Sequence, residues 1–308
     1  MEPIRSLDQL IRQLQGAEPT RLAIAAGNDE NSIQAAAMAA RERIARVILC
    51  GNASHIQVLC HKFSIDPSIF DIRDESSDLK AGIMARDLVR SGEADVLMKG
   101  LIATATYMHL ILDKEQGLLP KGGILTHVTV LDIPSYQQMH GKLLFAADVA
   151  IIPAPDLATK IRITSCAIDA AHSFGIEKPR VALIAASEKV SDKMPATMDA
   201  AIIAKMGERG QLKGAIIDGP LALDVAISPE ACAIKELSSP VGGAADVLIF
   251  PSIEAGNVFY KTATYLAGAK LAAAVVGTTA PCVLTSRADS EESKFYSIAF
   301  GCRLAGGK

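Results

Sequence analysis

The feature that most limits how this chain can fold is its rhythm. Short runs rich in valine, isoleucine and leucine alternate with helical stretches: RLAIAAG, NSIQAAAMAARERIA, RVILCG, a helix opening near Asn52, FDIRD, LKAGIMARDLVRSGE and DVLMKG. Runs of this kind separated by amphipathic segments are crossover units laid on a mostly parallel sheet. The fold class is therefore α/β.

After Gly122 and Gly123 the rhythm changes, because ILTHVTVLDI and KLLFAAD follow one another with only a short polar segment between them, as neighbouring antiparallel strands do. The alternation then resumes through LATKIRITSCAIDAAHSFG, RVALIAAS, PATMDAAIIAKMGERG, KGAIIDGP and DVLIFPS to a long helix placed from Asn257. CVLTS supplies a late strand, and DSEESKFYSIAFGCRLAG a last helix that folds back onto the first lobe. With 308 residues and half of them hydrophobic, two lobes fit better than one sheet. The expected division gives 1–140 plus 285–308 to a first α/β lobe and 141–284 to a second.

Composition removes several function classes. A formal charge of -3 leaves no basic surplus for a phosphate backbone, and 4% aromatic content offers few stacking platforms, so nucleic acid is not an expected partner. MEPIRSLDQLIRQLQ mixes charges with helically spaced leucines and lacks the pattern of an export signal. No uninterrupted run of about 18 apolar residues occurs, so no membrane partner is expected either. Six scattered cysteines without a CxxC pair suit reduced thiols in the cytoplasm. His55, Cys60 and His61 lie in an ordinary amphipathic helix with no further ligand pair, and no metal site is expected.

The dinucleotide fingerprint, the phosphate loop and the nucleophile elbow are all missing, so function has to come from local constellations. VLTSRADS places Ser286 and Arg287 at the carboxyl end of a strand, where open α/β sheets bind ligands. Asp289 reads as the cap of the following helix, with Glu292 as its capping-box partner. A guanidinium at such an edge suits phosphate or a developing oxyanion, against the plainer alternative of a surface arginine. With no histidine in the segment, Ser286 reads as a hydrogen-bond donor more than a nucleophile. In SIEAGNVFYK, Asn257 can cap a helix with Lys261 on the same face; a plain cap and a solvated lysine explain the pattern equally well. In DVLMKGLIATATYMH, Lys99 and Gly100 end a strand, Thr104 or Thr106 starts a helix, and His109 can face ligand or core.

Four stretches in fixed order, LMKGLIATATYMHLILDKEQGL, GPLALDVAIS, SIEAGNVFYKTATYLAGAK and VLTSRADS, make the chain resemble the phosphate acetyl/butyryltransferase family, and its shorter butyryltransferase branch more closely. The resemblance runs from about residue 20 to the end. It implies a two-lobed subunit similar to isocitrate and isopropylmalate dehydrogenases, paired as a homodimer, with the active site between lobes. It also implies reversible reaction of a short-chain acyl-CoA with inorganic phosphate to give acyl phosphate and coenzyme A in a ternary complex. No metal or redox cofactor takes part, coenzyme A being substrate or product.

By that resemblance Ser286 donates near the thioester, and Arg287 binds phosphate and stabilises negative charge. Gly256, Asn257 and Lys261 line the cleft, with Lys99, Gly100 and Thr104 on the opposite wall. The sequence departs from the family twice. The aspartate that follows the motif serine by seven residues in acetyltransferase members is Ser293 here, leaving the base to Asp289, another group or water. A family arginine in a TxxFLR-like pattern is matched by His109. These departures motivate a second hypothesis, a catalytically silent subunit that binds coenzyme A or acyl phosphate. An oxidoreductase on the same fold ranks low, because neither a dinucleotide fingerprint nor a metal-holding set of aspartates is present.

Overall fold

A computed structural model describes residues 2–285 and 289–306. The chain divides into two compact units, one of residues 1–6 and 126–270 and one of residues 7–125 and 271–308, here the middle and the terminal unit. The divisions fall at 125/126 and 270/271, where the sequence pattern suggested 140/141 and 284/285.

The terminal unit begins with α1 (Leu7–Gln15), β1 (Thr20–Ala25), α2 (Glu30–Arg41), β2 (Ala45–Gly51), α3 (Ala53–Lys62), β3 (Phe70–Asp74), α4 (Asp78–Arg90), β4 (Val96–Lys99) and α5 (Thr104–Leu112). The middle unit then runs through β5 (Thr126–Asp132), α6 (Pro134–His140), β6 (Leu144–Ala147), α7 (Leu157–Ser173), β7 (Arg180–Ile184), α8 (Pro195–Glu208), β8 (Ile216–Leu221), α9 (Leu223–Ile227), α10 (Pro229–Ile234), β9 (Val247–Ile249) and α11 (Ile253–Leu266). The chain closes with β10 (Lys270–Val276), β11 (Cys282–Val283) and α12 (Glu291–Gly306).

In the terminal unit the strand order is β3, β2, β1, β4, β11, β10. Neighbours are parallel except β10, which runs antiparallel to β11. Every residue of β4 is buried, as strands covered on both faces require, which is why VLMK reads as a continuous apolar run up to its lysine. The middle unit orders its strands β5, β6, β9, β7, β8, and the antiparallel pair expected from ILTHVTVLDI and KLLFAAD is β5 with β6.

Helix α1 buries Leu7, Leu10 and Leu14, one stripe at helical spacing. Helix α12 packs against α1 and α2 and against β1, β4 and β11. It is therefore buried almost without interruption from Lys294 to Cys302. Gly301 lets it approach the sheet: a Cβ there would come within 2.9 Å of the Val283 side chain.

The terminal unit has a switch point. From β1 the chain moves to β2 and β3 on one side, then returns to place β4 on the other. In open α/β sheets ligands bind outside the carboxyl ends of the strands at such a reversal. Here those ends carry the segment from Ala26 to Asp29 and the turn Lys99-Gly100.

Candidate active site

Gly100 has a structural reason to be glycine. Its N–H donates to Ala25 O at 2.9 Å, and a Cβ would stand 2.3 Å from Ala26 O, so the two chain ends meet closer than any side chain permits. Leu101 N extends the contact to Ala26 O at 2.8 Å. The Lys99 side chain is therefore fixed at the switch point, 2% exposed, with its Nζ donating to Gly100 O at 3.1 Å.

Helix α5 follows at once. Thr104 is its first residue and is exposed, and Ala103 before it offers no side-chain cap. His109 is also exposed, which settles its choice between ligand and core against the core. The helix is pinned by Tyr107, fully buried, whose hydroxyl donates to Leu97 O at 3.1 Å and Val283 O at 3.2 Å. Burial pushes the Tyr107 hydroxyl well above its usual pKa, so it stays a donor.

Ser286 and Arg287 lie outside the described residues. The residues on either side of them are placed. Thr285 is buried beyond the end of β11, and the carbonyl of Asp289 accepts a bond from Asn31 Nδ2 at 3.3 Å. Asp289 is not the helix cap that its position suggested. Ser290 takes that role, its Oγ accepting from Ser293 N at 3.1 Å and its carbonyl from Lys294 N at 3.0 Å. A capping serine one residue later leaves the Asp289 carboxylate, part-exposed, outside the helix. Ser293, the position seven after Ser286, is also within hydrogen-bond distance of Ser290 Oγ through its own hydroxyl, at 3.1 Å.

In the middle unit Gly256, Asn257 and Lys261 share α11. Asn257 does not cap it: the helix starts a turn earlier, with Ser252 at the cap position. Asn257 instead donates from Nδ2 to Val149 O at 3.0 Å, and Gly256 beside it is buried against the carbonyl of Asp148. Lys261 is exposed, its Nζ 5.1 Å from the centre of the Tyr260 ring.

Asp148 was not apparent from sequence, although it organises this region. Its carboxylate is 2% exposed and accepts four bonds: Thr126 Oγ1 at 2.7 Å and His127 N at 2.9 Å on one oxygen, Ala150 N and Ile151 N at 2.8 Å each on the other. A buried carboxylate so saturated is a structural clamp. It holds the turn after β6 that receives Gly256 and Asn257.

Two further residues of the terminal unit escaped notice, Asp29 and Lys294. Lys294 is 4% exposed, and its Nζ reaches Ser32 Oγ at 3.0 Å and Asp29 Oδ1 at 3.3 Å. They are 265 residues apart in sequence, so no local pattern joins them. The available hint was positional, since Asn28 and Asp29 follow the first strand as Ser286 and Arg287 follow the last. Among the described residues no group of three histidine, cysteine or carboxylate side chains stands ready to hold a metal ion.

Comparison with known proteins adds a consistent picture. The sequence profile of the family described as "Phosphate acetyl/butaryl transferase" matches residues 77–302. A phosphate butyryltransferase of Clostridium acetobutylicum is 43% identical over 305 residues, covering 99% of this chain and all of the relative. A phosphate acetyltransferase of Thermotoga maritima is 41% identical, covering 97% and 99%. Among solved structures, a branched-chain phosphotransacylase from Enterococcus faecalis superposes with a TM-score of 0.81 at 33% identity, covering 93% of this chain and 99% of that one. A 4-hydroxythreonine-4-phosphate dehydrogenase from Burkholderia phymatum shares the fold at a TM-score of 0.55 and 12% identity.

Proposed function

The chain belongs to the phosphate acetyl/butyryl transferase family, and from that premise we propose the roles of its residues in the reaction that membership brings: the reversible transfer of an acyl group between coenzyme A and inorganic phosphate. The observation that carries the activity is the 43% identity to a phosphate butyryltransferase across essentially the whole of both chains. The acyl group is short, and both substrates are bound together when it moves.

That chemistry asks for cations to hold phosphate, a donor for the carbonyl oxygen as it becomes tetrahedral, and help for a thiol that is mostly protonated at neutral pH, its ordinary pKa being about 8.5. Arg287 holds phosphate and stabilises the charge that develops on it. Ser286 donates to the thioester oxygen. The turn that buries Lys99 beside Gly100 puts an ammonium at the switch-point edge of the terminal unit. Asp289, outside α12 because Ser290 caps it, is a carboxylate that exchanges protons in the reaction. Gly256, Asn257 and Lys261 contribute the binding surface of the middle unit, and Thr104 and His109 that of α5.

The enzyme works as a cytoplasmic homodimer and needs no metal or redox cofactor. Its substrates are acyl-CoA and phosphate, with no nucleic acid or membrane partner. No helix among the described residues is long and apolar enough to cross a membrane.

The test is release of thiol from acetyl-, propionyl- and butyryl-CoA by the purified protein, with and without inorganic phosphate. Phosphate-dependent release that ranks the three donors supports the reading. Binding of coenzyme A without release would favour the silent subunit instead.

A further inference from the structure

Among the described residues, the buried side-chain atoms left without a hydrogen-bond partner are Asn28 Oδ1, Asp29 Oδ2 and Thr285 Oγ1. All three stand at one edge of the terminal unit. Asn28 and Asp29 follow β1, Thr285 follows β11, and β4 runs between those two strands. Asn28 is 8% exposed, Thr285 6% and the Asp29 side chain 19%, but each of the three atoms is itself shielded from bulk water. Protein interiors satisfy nearly all such atoms, and orphans at the carboxyl ends of neighbouring strands, where open α/β sheets bind ligands, indicate where an outside donor belongs.

Asp29 is the only ionisable group of the three, and its two oxygens have separate duties. Oδ1 accepts from Ser32 N at 3.0 Å, capping α2, and from Lys294 Nζ at 3.3 Å. Oδ2 accepts nothing. The cap and the buried ammonium fix the plane of the carboxylate, and Lys294 is itself tied to Ser32 Oγ at 3.0 Å. Two residues on, Asn31 Nδ2 donates to the carbonyl of Asp289. A side chain locked in this way can exchange a proton without first reorganising.

On the acyltransferase reading, we infer that Asp29 Oδ2 is a proton-transfer group of the reaction. As coenzyme A attacks an acyl phosphate, the S–H bond breaks and its proton passes to Oδ2. The sulfur forms its bond to the acyl carbon, and the bond from that carbon to the phosphate oxygen breaks. Phosphate leaves with the electron pair and takes the proton from Oδ2. In the other direction the O–H of hydrogen phosphate gives up the proton, the oxygen attacks the thioester, and the departing thiolate recovers it. Asn28 Oδ1 and Thr285 Oγ1 orient the group that carries the proton.

The experiment starts from the wild-type enzyme, assayed in both directions. Asp29→Asn keeps a good helix cap and the side-chain volume, so melting temperature serves as the control for folding. Its kcat should fall by about 10²-fold or more, while the Michaelis constants for coenzyme A and phosphate stay within about twofold. Lys294→Met with Asp29 intact removes the ammonium that holds Oδ1 and should lower kcat without abolishing turnover.

Asp29→Gly, also tolerated at a cap, should regain rate when formate is added, which a structural role alone does not explain. Asp289→Asn, run beside these, separates the two carboxylates. A wild-type enzyme that is active and an Asp29→Asn variant that keeps kcat within about threefold would overturn the inference and leave the acyltransferase reading intact. A wild-type protein with no phosphate-dependent thiol release overturns both.

Discussion

Gly256 lies so close to Asp148 that a Cβ on the glycine would stand 2.4 Å from the aspartate's carbonyl oxygen. Real Cβ contacts do not reach that distance, and the atom opposed is backbone, which cannot swing aside. The neighbouring Asp148 carboxylate is held by four donors, so the turn cannot retreat cheaply either. Gly256→Ala should therefore push α11 away from the end of β6. Overpacking of this kind costs about 1–3 kcal/mol. Urea unfolding of the variant should show the loss. Because Asn257 moves with Gly256, its bond to Val149 O should weaken and the Michaelis constant for coenzyme A should rise.

Thiol chemistry gives a second expectation, one that bears on any dye-based assay of coenzyme A. All six cysteines are unpaired, and all but Cys166 are buried. Burial pushes the thiols of Cys50, Cys282 and Cys302 up to about 12 and that of Cys166 up to about 11. The thiolate is the reactive species, so the native enzyme should react with an aromatic disulfide reagent slowly, and first at Cys166. In denaturant all six should react within the mixing time. A prompt native reaction of several thiols would contradict the packing described here.

At the amino end of the terminal unit's sheet, Arg21 and Asp95 form a pair whose pH dependence has a definite sign. Hydrogen bonds from the Arg21 side chain, against an opposing cost of burial, hold the Asp95 carboxyl below its usual range. A folded-state pKa below the unfolded value gives stability that is fully present above about pH 4 and is lost as pH falls through the folded value. Both side chains are partly exposed, at 44% and 34%, so solvent screening limits the pair to less than about 1 kcal/mol. Asp95→Asn should thus lower the urea midpoint slightly at neutral pH, by an amount that shrinks as pH falls below about 4. A loss that does not shrink would assign the effect to packing.

The parts of this molecule legible in its sequence are those that depend on local pattern. VLMK, RLAIA and RVILC read as buried parallel strands because both faces of the sheet are covered, and their periodicity needed no partner to interpret. The two helix starts that were misplaced depended on docking. Helix α11 begins at Ile253 because Gly256 must already be inside the helix where it meets Asp148, a distant residue that no capping pattern reveals. Ser290 displaces Asp289 at the start of α12 because Lys294 has to reach Asp29 and Ser32 across the gap to α2. Candidates beside strand ends, Lys99 and Gly100, could be found from sequence because the strand itself could. Asp29 could not be singled out, since an aspartate before a helix is usually only a cap, and its second oxygen becomes notable only once the other partners are placed.

His109 offers the sharpest test of the phosphate side. Its exposure on α5 means that the side chain can be enlarged without disturbing the core, which Tyr107 and Ile111 of the same helix anchor. A guanidinium is charged throughout and binds phosphate oxygens in pairs, which an imidazole does not. If the position faces phosphate, His109→Arg should lower the Michaelis constant for inorganic phosphate by about threefold to tenfold, with that for acyl-CoA unchanged. Steady-state kinetics with phosphate varied checks the statement. An unaltered phosphate constant would show that this face of α5 looks away from the bound anion.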